Sequence, residues 1–595
     1  MELEFWQVAG RFSAPGGPPE ELAVPISGLS AAATAAVGPL EVALSRRTDG
    51  FDWWVANRGD RAIRLRSVAG VARLEGLIEP LRMFRHGYQS WSPSGVAVLG
   101  VDADPSERAD LPFVQGVYHA DSRRVRPGEL RSEWCTVLAD AGRGPGRQLV
   151  LGFDGGHEHD GTFRLRQCDD GSAELWIEAF LGDAMLAPGE LRVLHGVGWT
   201  ADDGDASELL GRWASRVGAA GRARVEAPFA VGWCSWYHFF EKVTEADLRR
   251  NLAAADGWPF DVFQFDDGYQ AAIGDWRATN SKFPTSLDAL ASDIAGRGLR
   301  PGIWLAPFLA APDSEVVRRH PEWVARAPGS GAGDEPLRSW WNPAWGGGED
   351  GFMYSLDTTR PDVLDHLEAL ARDLVSAGYG YLKLDFTFAP SVDGRWHDPG
   401  RTPAQRVRAG FEAIRRGAGE ETFLLGCGVP LANVVGLVDA NRIGPDVAPL
   451  WALAPSEEIV AGYLDVQPAT RSAFAGTVAR SFMHRRLWMN DPDCVMLRAT
   501  STALGPEAAT TWDRCVALSG GLVMVSDDLD LLGAEARARL DEIVAIGRES
   551  DHESRQGAPP LAPDLLEHAV PTTLTTTHHE LVADVDAGSS VLRAR

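Results

Sequence analysis

Along roughly the first 217 residues, apolar and polar positions alternate in short runs such as FDWWVANRG, AIRLRSVAGV and AELWIEAFLG, broken by Gly, Pro, Asn and Asp. Period-2 alternation between turn residues predicts half-buried strands. A large β-sandwich is the fold expected for this part of the chain. Helical patterning is scarce there until ASELLGRWASRV. From about Arg222 the pattern changes. Short apolar strands now alternate with amphipathic helices, the signature of βα units on a parallel sheet. Eight strand candidates occur: FAVGWCSWY, VFQFDDGY, LRPGIWLAPF, YGYLKLDFTF, TFLLGCG, ANRIGPD, LWMNDPD and GLVMVSDDL. Helices such as EADLRRNLAAA, LDALASDIAGRG, VLDHLEALARDLVSAG and AQRVRAGFEAIRRGAG lie between them. Eight such units predict a (β/α)8 TIM barrel; the sixth and seventh have the least defined register.

The expected architecture is therefore multidomain α/β. It comprises an N-terminal β-sandwich over 1–217, a central (β/α)8 barrel over 218–548 and a small C-terminal β-domain over 549–595. The last of these rests on the Thr- and Val-rich run AVPTTLTTTHHELVADV, which also fits a poorly ordered end. A chain of 595 residues is too long for one core, in keeping with several domains.

Charge narrows the function classes. With 57 Lys and Arg against 83 Asp and Glu, the formal net charge is −26. That argues against nucleic acid and anionic membrane as partners and is compatible with a neutral substrate such as a sugar, although acidity that merely maintains solubility reads equally well. The six cysteines show no CxxC spacing, so neither a zinc ribbon nor a redox pair is indicated. The opening MELEFWQVAGRF has no basic region followed by an apolar one, and no apolar run is long enough to cross a bilayer, so the expected location is cytoplasmic. The 21 tryptophans suit sugar stacking, and equally a large β-rich core.

Barrel chemistry comes from the C-terminal ends of the strands. Here the first candidate strand ends in Trp233, Trp236 and Tyr237, the second in Asp266 and Asp267, and the third contains Trp304. The fourth ends in Lys383 and Asp385, the fifth in Cys427 and the sixth in Arg442 and Asp446. The seventh ends in Asn490, Asp491 and Asp493, and the eighth in Asp527 and Asp528. A single Asp there is often a helix cap; a set of acids with a Lys and an Arg points to a cleft. Two carboxyl groups at one barrel mouth suggest glycoside hydrolysis, in which one protonates the leaving oxygen and the other attacks the anomeric carbon or activates water. Lys383 and Asp385, two apart on a strand, share a face, and a nearby ammonium favours the ionised carboxylate that a nucleophile requires. A buried Lys–Asp pair that only fills the barrel is the competing reading. Asp446 follows Gly444-Pro445 in a loop-like approach, where spacing alone also fits a surface turn.

At these residues the chain resembles glycoside hydrolase family 36 and the clan it shares with family 27. The stretches GWCSWYHFF (232–240), FQFDDGYQ (263–270), YLKLDFTF (381–388), LLGCG (424–428), RIGPD (442–446) and LWMNDPDCVMLR (487–498) carry the resemblance in order, with FRHGYQSWSPSG (84–95) in the N-terminal part. The resemblance implies a retaining α-galactosidase acting on terminal α-D-galactosyl residues of oligosaccharides such as melibiose and raffinose, with no cofactor and no metal. It makes Asp385 the nucleophile and Asp446 the general acid/base. Asp266 and Asp267 would bind galactose hydroxyls, with Lys383 and Arg442 around the nucleophile. Trp236, Tyr237 and Trp304 would form an aromatic wall, Cys427 would lie near the 2-hydroxyl, and Trp91 would reach in from the sandwich. Two positions depart from the family pattern: Tyr269 stands where many relatives have Trp, and the fifth strand continues as CGVPL. The second departure leaves galactose and N-acetylgalactosamine both open, and related readings are an α-galactosyl transferase or a non-catalytic sugar-binding protein. The oligomeric state is not legible. His157-Glu158-His159-Asp160 reads as a solvated turn rather than a metal site. Asp202-Asp203-Gly204-Asp205 lacks the full calcium-loop pattern. His578-His579-Glu580 is not the HExxH of a zinc protease.

Overall fold

The computed structural model describes residues 2–26, 28, 32–104, 114–123, 125–142, 147–202, 204–329, 334–346, 348–453 and 467–595. Two antiparallel sheets occupy the N-terminal part. One has six strands, in the order Pro19–Pro25, Glu2–Ser13, Ile63–Glu75, Ala173–Leu186, Asp160–Gln167, Leu130–Glu133. The other has eight and includes Gly50–Asn57 and Gln148–Phe153. In Gly50–Asn57 the predicted alternation holds: Phe51, Trp53 and Val55 are buried and Asp52 is exposed. The apolar faces meet, with Phe5 edge-on to Phe51 at 5.5 Å and Phe163 against Phe153 at 5.2 Å.

Nine short strands then form one wholly parallel sheet: β1 (Val231–Cys234), β2 (Val262–Phe265), β3 (Arg300–Leu305), β4 (Tyr381–Leu384), β5 (Phe423–Gly426), β6 (Ala440–Arg442), β7 (Met489–Asp491), β8 (Cys494–Val495) and β9 (Val523–Val525). Every adjacent pair is parallel. The first seven and the last coincide with the eight apolar runs of the sequence, whereas β8 falls just beyond the seventh run, LWMNDPD. The order is β7-β6-β5-β4-β3-β2-β1-β9-β8, so the two edge strands are joined in the chain by Pro492 and Asp493 alone. The sheet therefore curls until its edges lie beside each other. Asp493, at φ +90° the only non-glycine residue between the two edge strands held outside the usual backbone regions, makes the bend. The intervening helices begin where local chemistry starts them. Thr244 with Asp247, and Thr402 with Gln405, form reciprocal capping boxes ahead of Glu245–Ala254 and Pro403–Ala418.

The end of the chain forms a three-stranded antiparallel sheet, Thr573–Thr575, His579–Asp584 and Ser589–Ala594. It is tied to the helix Pro506–Ser519 by Arg514 Nη1, which donates to Ser590 O at 2.9 Å. The domain breaks expected at 217/218 and 548/549 fall inside the helices Ala206–Ala220 and Ala534–Arg555. No helix among the described residues is long and apolar enough to cross a membrane. All six cysteines are unpaired, and five are buried.

The N-terminal sheets are locked to the parallel sheet by polar contacts. Arg480 is fully buried; its Nη1 donates to Ser90 O at 2.9 Å and Ile443 O at 2.7 Å, and its Nη2 to Gln89 O at 2.9 Å and Ser92 O at 2.8 Å. Burial pushes its guanidinium down to about 9. Arg480→Met takes this donor from the carbonyls of Ser90, Ser92 and Ile443, while Gln89 O keeps the Ser92 N–H; an unpaired buried group costs about 1–3 kcal/mol, partly offset by relief of the buried charge. The expected result is a lower thermal unfolding midpoint; an unchanged midpoint would contradict it.

The 157–160 stretch divides: His157 and Glu158 are exposed in a bend, as the solvated-turn reading expects, whereas His159 and Asp160 are buried, and Asn433 Nδ2 donates to Asp160 Oδ1 at 3.0 Å. Burial raises the Asp160 carboxyl to about 7. Asp205 caps the helix Ala206–Ala220, while Asp203 lies outside the described residues.

Candidate active site

Asp385 directly follows β4. Its backbone N–H donates to Leu305 O at 2.7 Å, which ties it to β3. Its carboxylate accepts two hydrogen bonds, from Trp304 Nε1 to Oδ2 at 3.0 Å and from the Phe386 N–H to Oδ1 at 2.8 Å. Phe386 is held at φ +52°, a conformation that is costly for an aromatic residue. The turn that aims the carboxylate is thus itself strained. These two donors fix the orientation of the carboxylate.

Lys383 lies on the same strand and, as its spacing implies, is buried. Its ammonium bonds elsewhere than the sequence suggested: Nζ donates to Asp266 Oδ2 at 2.8 Å. Asp266 follows β2, so this pair spans the interior across β3. Burial alone would depress the Lys383 ammonium; the Asp266 carboxylate outweighs it and holds the group well above its ordinary value. Gln264 Nε2 also donates to Asp266 Oδ2, at 2.6 Å. The neighbouring Asp267 accepts from Gln270 Nε2 and from Trp345 Nε1, both at 2.6 Å. Burial raises the Asp267 carboxyl to about 6. A carboxylate has about four acceptor positions, so Asp267, which accepts two, retains capacity for sugar hydroxyls.

Arg442 on β6 is a buried fork. Nη1 donates to Asp446 Oδ1 at 3.0 Å and Asp493 Oδ2 at 2.9 Å, and Nε to Asp491 Oδ2 at 3.1 Å. Asp446 is thereby aimed rather than left in a surface turn. Its side chain is 32% exposed, yet protein surrounds it at longer range, as on a cleft floor. Desolvation raises its carboxyl to about 6; Arg442 opposes that shift, while Asp493 and Asp385 reinforce it.

The aromatic residues divide. Trp304 touches Asp385 directly. Tyr237 is buried and its hydroxyl donates to Asp493 Oδ2, so it braces the Arg442 cluster instead of lining a wall. Trp236 is half-buried and packs against Phe240. Trp91 does arrive from the N-terminal part: its ring lies 5.0 Å from that of Phe386. A Cβ on Gly428, the residue after Cys427, would sit 2.9 Å from the Trp91 ring. Cys427 is wholly buried, and burial together with Asp385 pushes its thiol well up. Tyr269 is also buried and donates to Trp304 O at 3.1 Å, so it supports Trp304 from behind. Asp527 and Asp528 stand apart from the carboxylate set. Asp527 is bonded to Arg498 Nη1 at 2.7 Å and Asp528 caps the turn Leu529–Leu531, so at β9 the structural reading of an acidic strand end is the right one.

The clearest omission from the sequence reading is Trp345. It lies in an excursion between β3 and β4 that carries a small sheet, Leu309–Ala310, Phe352–Ser355 and Arg338–Trp341. The tryptophan-rich run SWWNPAW (339–345) was the available signal. Trp345 packs 4.9 Å from Phe386 and 6.0 Å from Trp304. Trp345→Phe keeps the ring and removes a hydrogen bond to a charged group, worth about 1.5–3 kcal/mol. The expected result is a roughly tenfold or greater fall in kcat/KM on an α-galactoside; wild-type kinetics would mean that Asp267 does not depend on this donor.

Comparison with known proteins agrees with this geometry. The Melibiase family model matches residues 238–389, which run from just after β1 past Asp385. The α-galactosidase AgaA of Geobacillus stearothermophilus is 27% identical over 293 residues, or 46% of this chain and 37% of that protein. The matched part thus spans little more than a third of that curated relative. The structure of TtGalA, an α-galactosidase from Thermus thermophilus in complex with p-nitrophenyl α-D-galactopyranoside, superposes with a TM-score of 0.68 at 27% identity, covering 93% of this chain and 99% of that one. The family 36 enzyme AgaA shares the fold, with a TM-score of 0.62 at 14% identity over 96% of this chain and 80% of its own. Its motifs fall in the order of glycoside hydrolase family 36 and its fold is shared nearly end to end with these α-galactosidases, so the chain is similar to that family.

Proposed function

We propose that this protein is a retaining α-galactosidase that removes terminal α-D-galactosyl residues from oligosaccharides. The observation that carries the proposal is the meeting of two differently prepared carboxyl groups at the C-terminal ends of parallel strands. Asp385 accepts two N–H donors, as a nucleophile requires, and Asp446 is raised to about 6, as a proton donor requires. We read the curled sheet as a (β/α)8 barrel in which β7 and β8 are halves of one strand, and the two N-terminal sheets as a β-sandwich. The units then break after the helices ending at Ala220 and Arg555, with a small β-sheet unit at the end.

In this reading Asp385 attacks the anomeric carbon as Asp446 protonates the departing glycosidic oxygen. Asp446 then takes a proton from water, whose oxygen attacks the same carbon and releases Asp385. Two inversions leave the configuration unchanged. Asp266 and Asp267 hold galactose hydroxyls, with Lys383 and Trp345 fixing their orientation. A site whose buried acceptors need an axial hydroxyl rejects the epimer that leaves them unpaired. The proposed substrates fit the relatives, since TtGalA was solved with a nitrophenyl α-galactoside.

The test is hydrolysis of 4-nitrophenyl α-D-galactoside followed by proton NMR, with the α-glucoside and α-N-acetylgalactosaminide in parallel. Release of α-galactose as the first anomer, with preference for the galactoside, is expected. β-Galactose first would remove the double displacement, and preference for the N-acetyl sugar would move the specificity.

A further inference from the structure

Glu549 and Glu553 are one turn apart on the helix Ala534–Arg555 and share a face. Opposite them is the turn between Thr573–Thr575 and His579–Asp584, closed by the Thr576 N–H donating to His579 O at 2.9 Å. One donor atom each from Glu549, Glu553 and His578 lie within 4.8 Å of one another. His579 Nδ1 is 3.6 Å from Glu549 Oε2, so a second imidazole borders the group.

An acidic cluster alone would mean little. The second observation is Glu553 itself, whose side chain is only 8% exposed. Its Oε2 accepts from the Thr577 N–H at 2.9 Å. Its Oε1 is buried without a hydrogen-bond partner and faces His578 Nε2 at 3.4 Å. That contact is long for a charge-assisted hydrogen bond, and it is an ion pair only when the imidazole carries a second proton. With Nε2 unprotonated, as in the neutral Nδ1–H tautomer, a buried carboxylate oxygen faces another acceptor, which is costly. A divalent cation between them satisfies both at once.

We propose that Glu549, Glu553 and His578 form a structural site for a divalent transition metal that staples the C-terminal sheet to the helix Ala534–Arg555. One imidazole and two carboxylates suit zinc and its neighbours rather than calcium or magnesium, which prefer all-oxygen sets. Ligand atoms at ordinary zinc distances lie roughly 3.3 Å apart in a tetrahedron. Glu549 and His578 are 45% and 57% exposed, so both have room to close in on the buried Glu553. None of the three belongs to the carboxylate set around Asp385, so the metal has no part in the proposed chemistry.

The test uses the full chain, stripped with a chelator and titrated with Zn2+ against a chromophoric competitor, with thermal unfolding in parallel. One zinc per chain and a rise of about 2 °C or more in the unfolding midpoint are expected, as for any ligand that binds only the folded state. The exposed-site variants Glu549→Ala and His578→Ala are expected to lose that rise and at least about tenfold in affinity. Hydrolysis of the nitrophenyl galactoside by zinc-free protein is expected to be the same in both variants as in wild type. Substoichiometric binding, or variants that bind zinc as wild type does, would overturn the site; in the latter case the ion sits elsewhere.

Discussion

Asp385→Ala is expected to lower kcat on 4-nitrophenyl α-D-galactoside by about 10⁴-fold or more, as loss of a covalent nucleophile does when no neighbouring group replaces it. KM should change little. The lost interaction is made with the anomeric carbon only in the transition state, while the hydroxyl-binding pair Asp266 and Asp267 is untouched. The fold should survive, since the carboxylate's donors are the Trp304 indole and the Phe386 amide at the cleft, and a matching thermal midpoint is the control. Added azide fits the space vacated by the carboxylate. It should restore part of the activity by attacking once, from the face Asp385 occupied, so the product is β-galactosyl azide. Wild-type activity in the variant would mean that another carboxylate attacks. Loss of activity together with the thermal midpoint would call for Asp385→Asn, which preserves the shape of the side chain.

Asp446→Ala should separate substrates by leaving group. Melibiose and raffinose need the departing oxygen protonated, and a general acid contributes about 10²–10⁴-fold, so that much is expected to be lost. Nitrophenolate leaves without help, so the first step on the aryl galactoside should be far less affected, and the galactosyl-enzyme should accumulate. The wild-type pH profile follows from the same group. Burial raises Asp446 to about 6, so it is a protonated acid below that pH and an ineffective carboxylate above it. The alkaline limb of kcat/KM on raffinose should therefore lie near 6 and vanish in the variant. An unmoved limb would assign it to another group, and equal losses on both substrates would remove Asp446 as the acid.

Much of this was legible in the linear sequence because it depends on near neighbours. Strands of three to six residues between helices show as apolar runs, and eight of the nine parallel strands fall on them, the two-residue β8 lying just past one. Capping at Thr244 and Thr402 needs only the residue three places on. That Lys383 faces inward follows from strand periodicity. Its partner does not, because an inward ammonium can meet any inward carboxylate, and the sheet's closure selects Asp266 over Asp385, two residues away. The split of the seventh strand was equally hidden. It occurs where Asp493 takes a backbone conformation that L-residues seldom adopt, and that choice is made by the sheet's edges meeting.

The same division holds for the site. Side-chain type and local period alone marked the strand ends that carry acids, while the roles expected of Asp385 and Asp446 came from the resemblance of the motifs to family 36. Only the tertiary structure decided that Trp345, from an excursion between β3 and β4, would reach Asp267. It also decided that Arg442 would bind three acids at once and that Asp527 would be a brace. The physical reason is that chemistry and periodicity belong to residues and short segments. The partner of a buried polar group is set by which distant segments the packing brings within about 3 Å, where its hydrogen bonds must be satisfied.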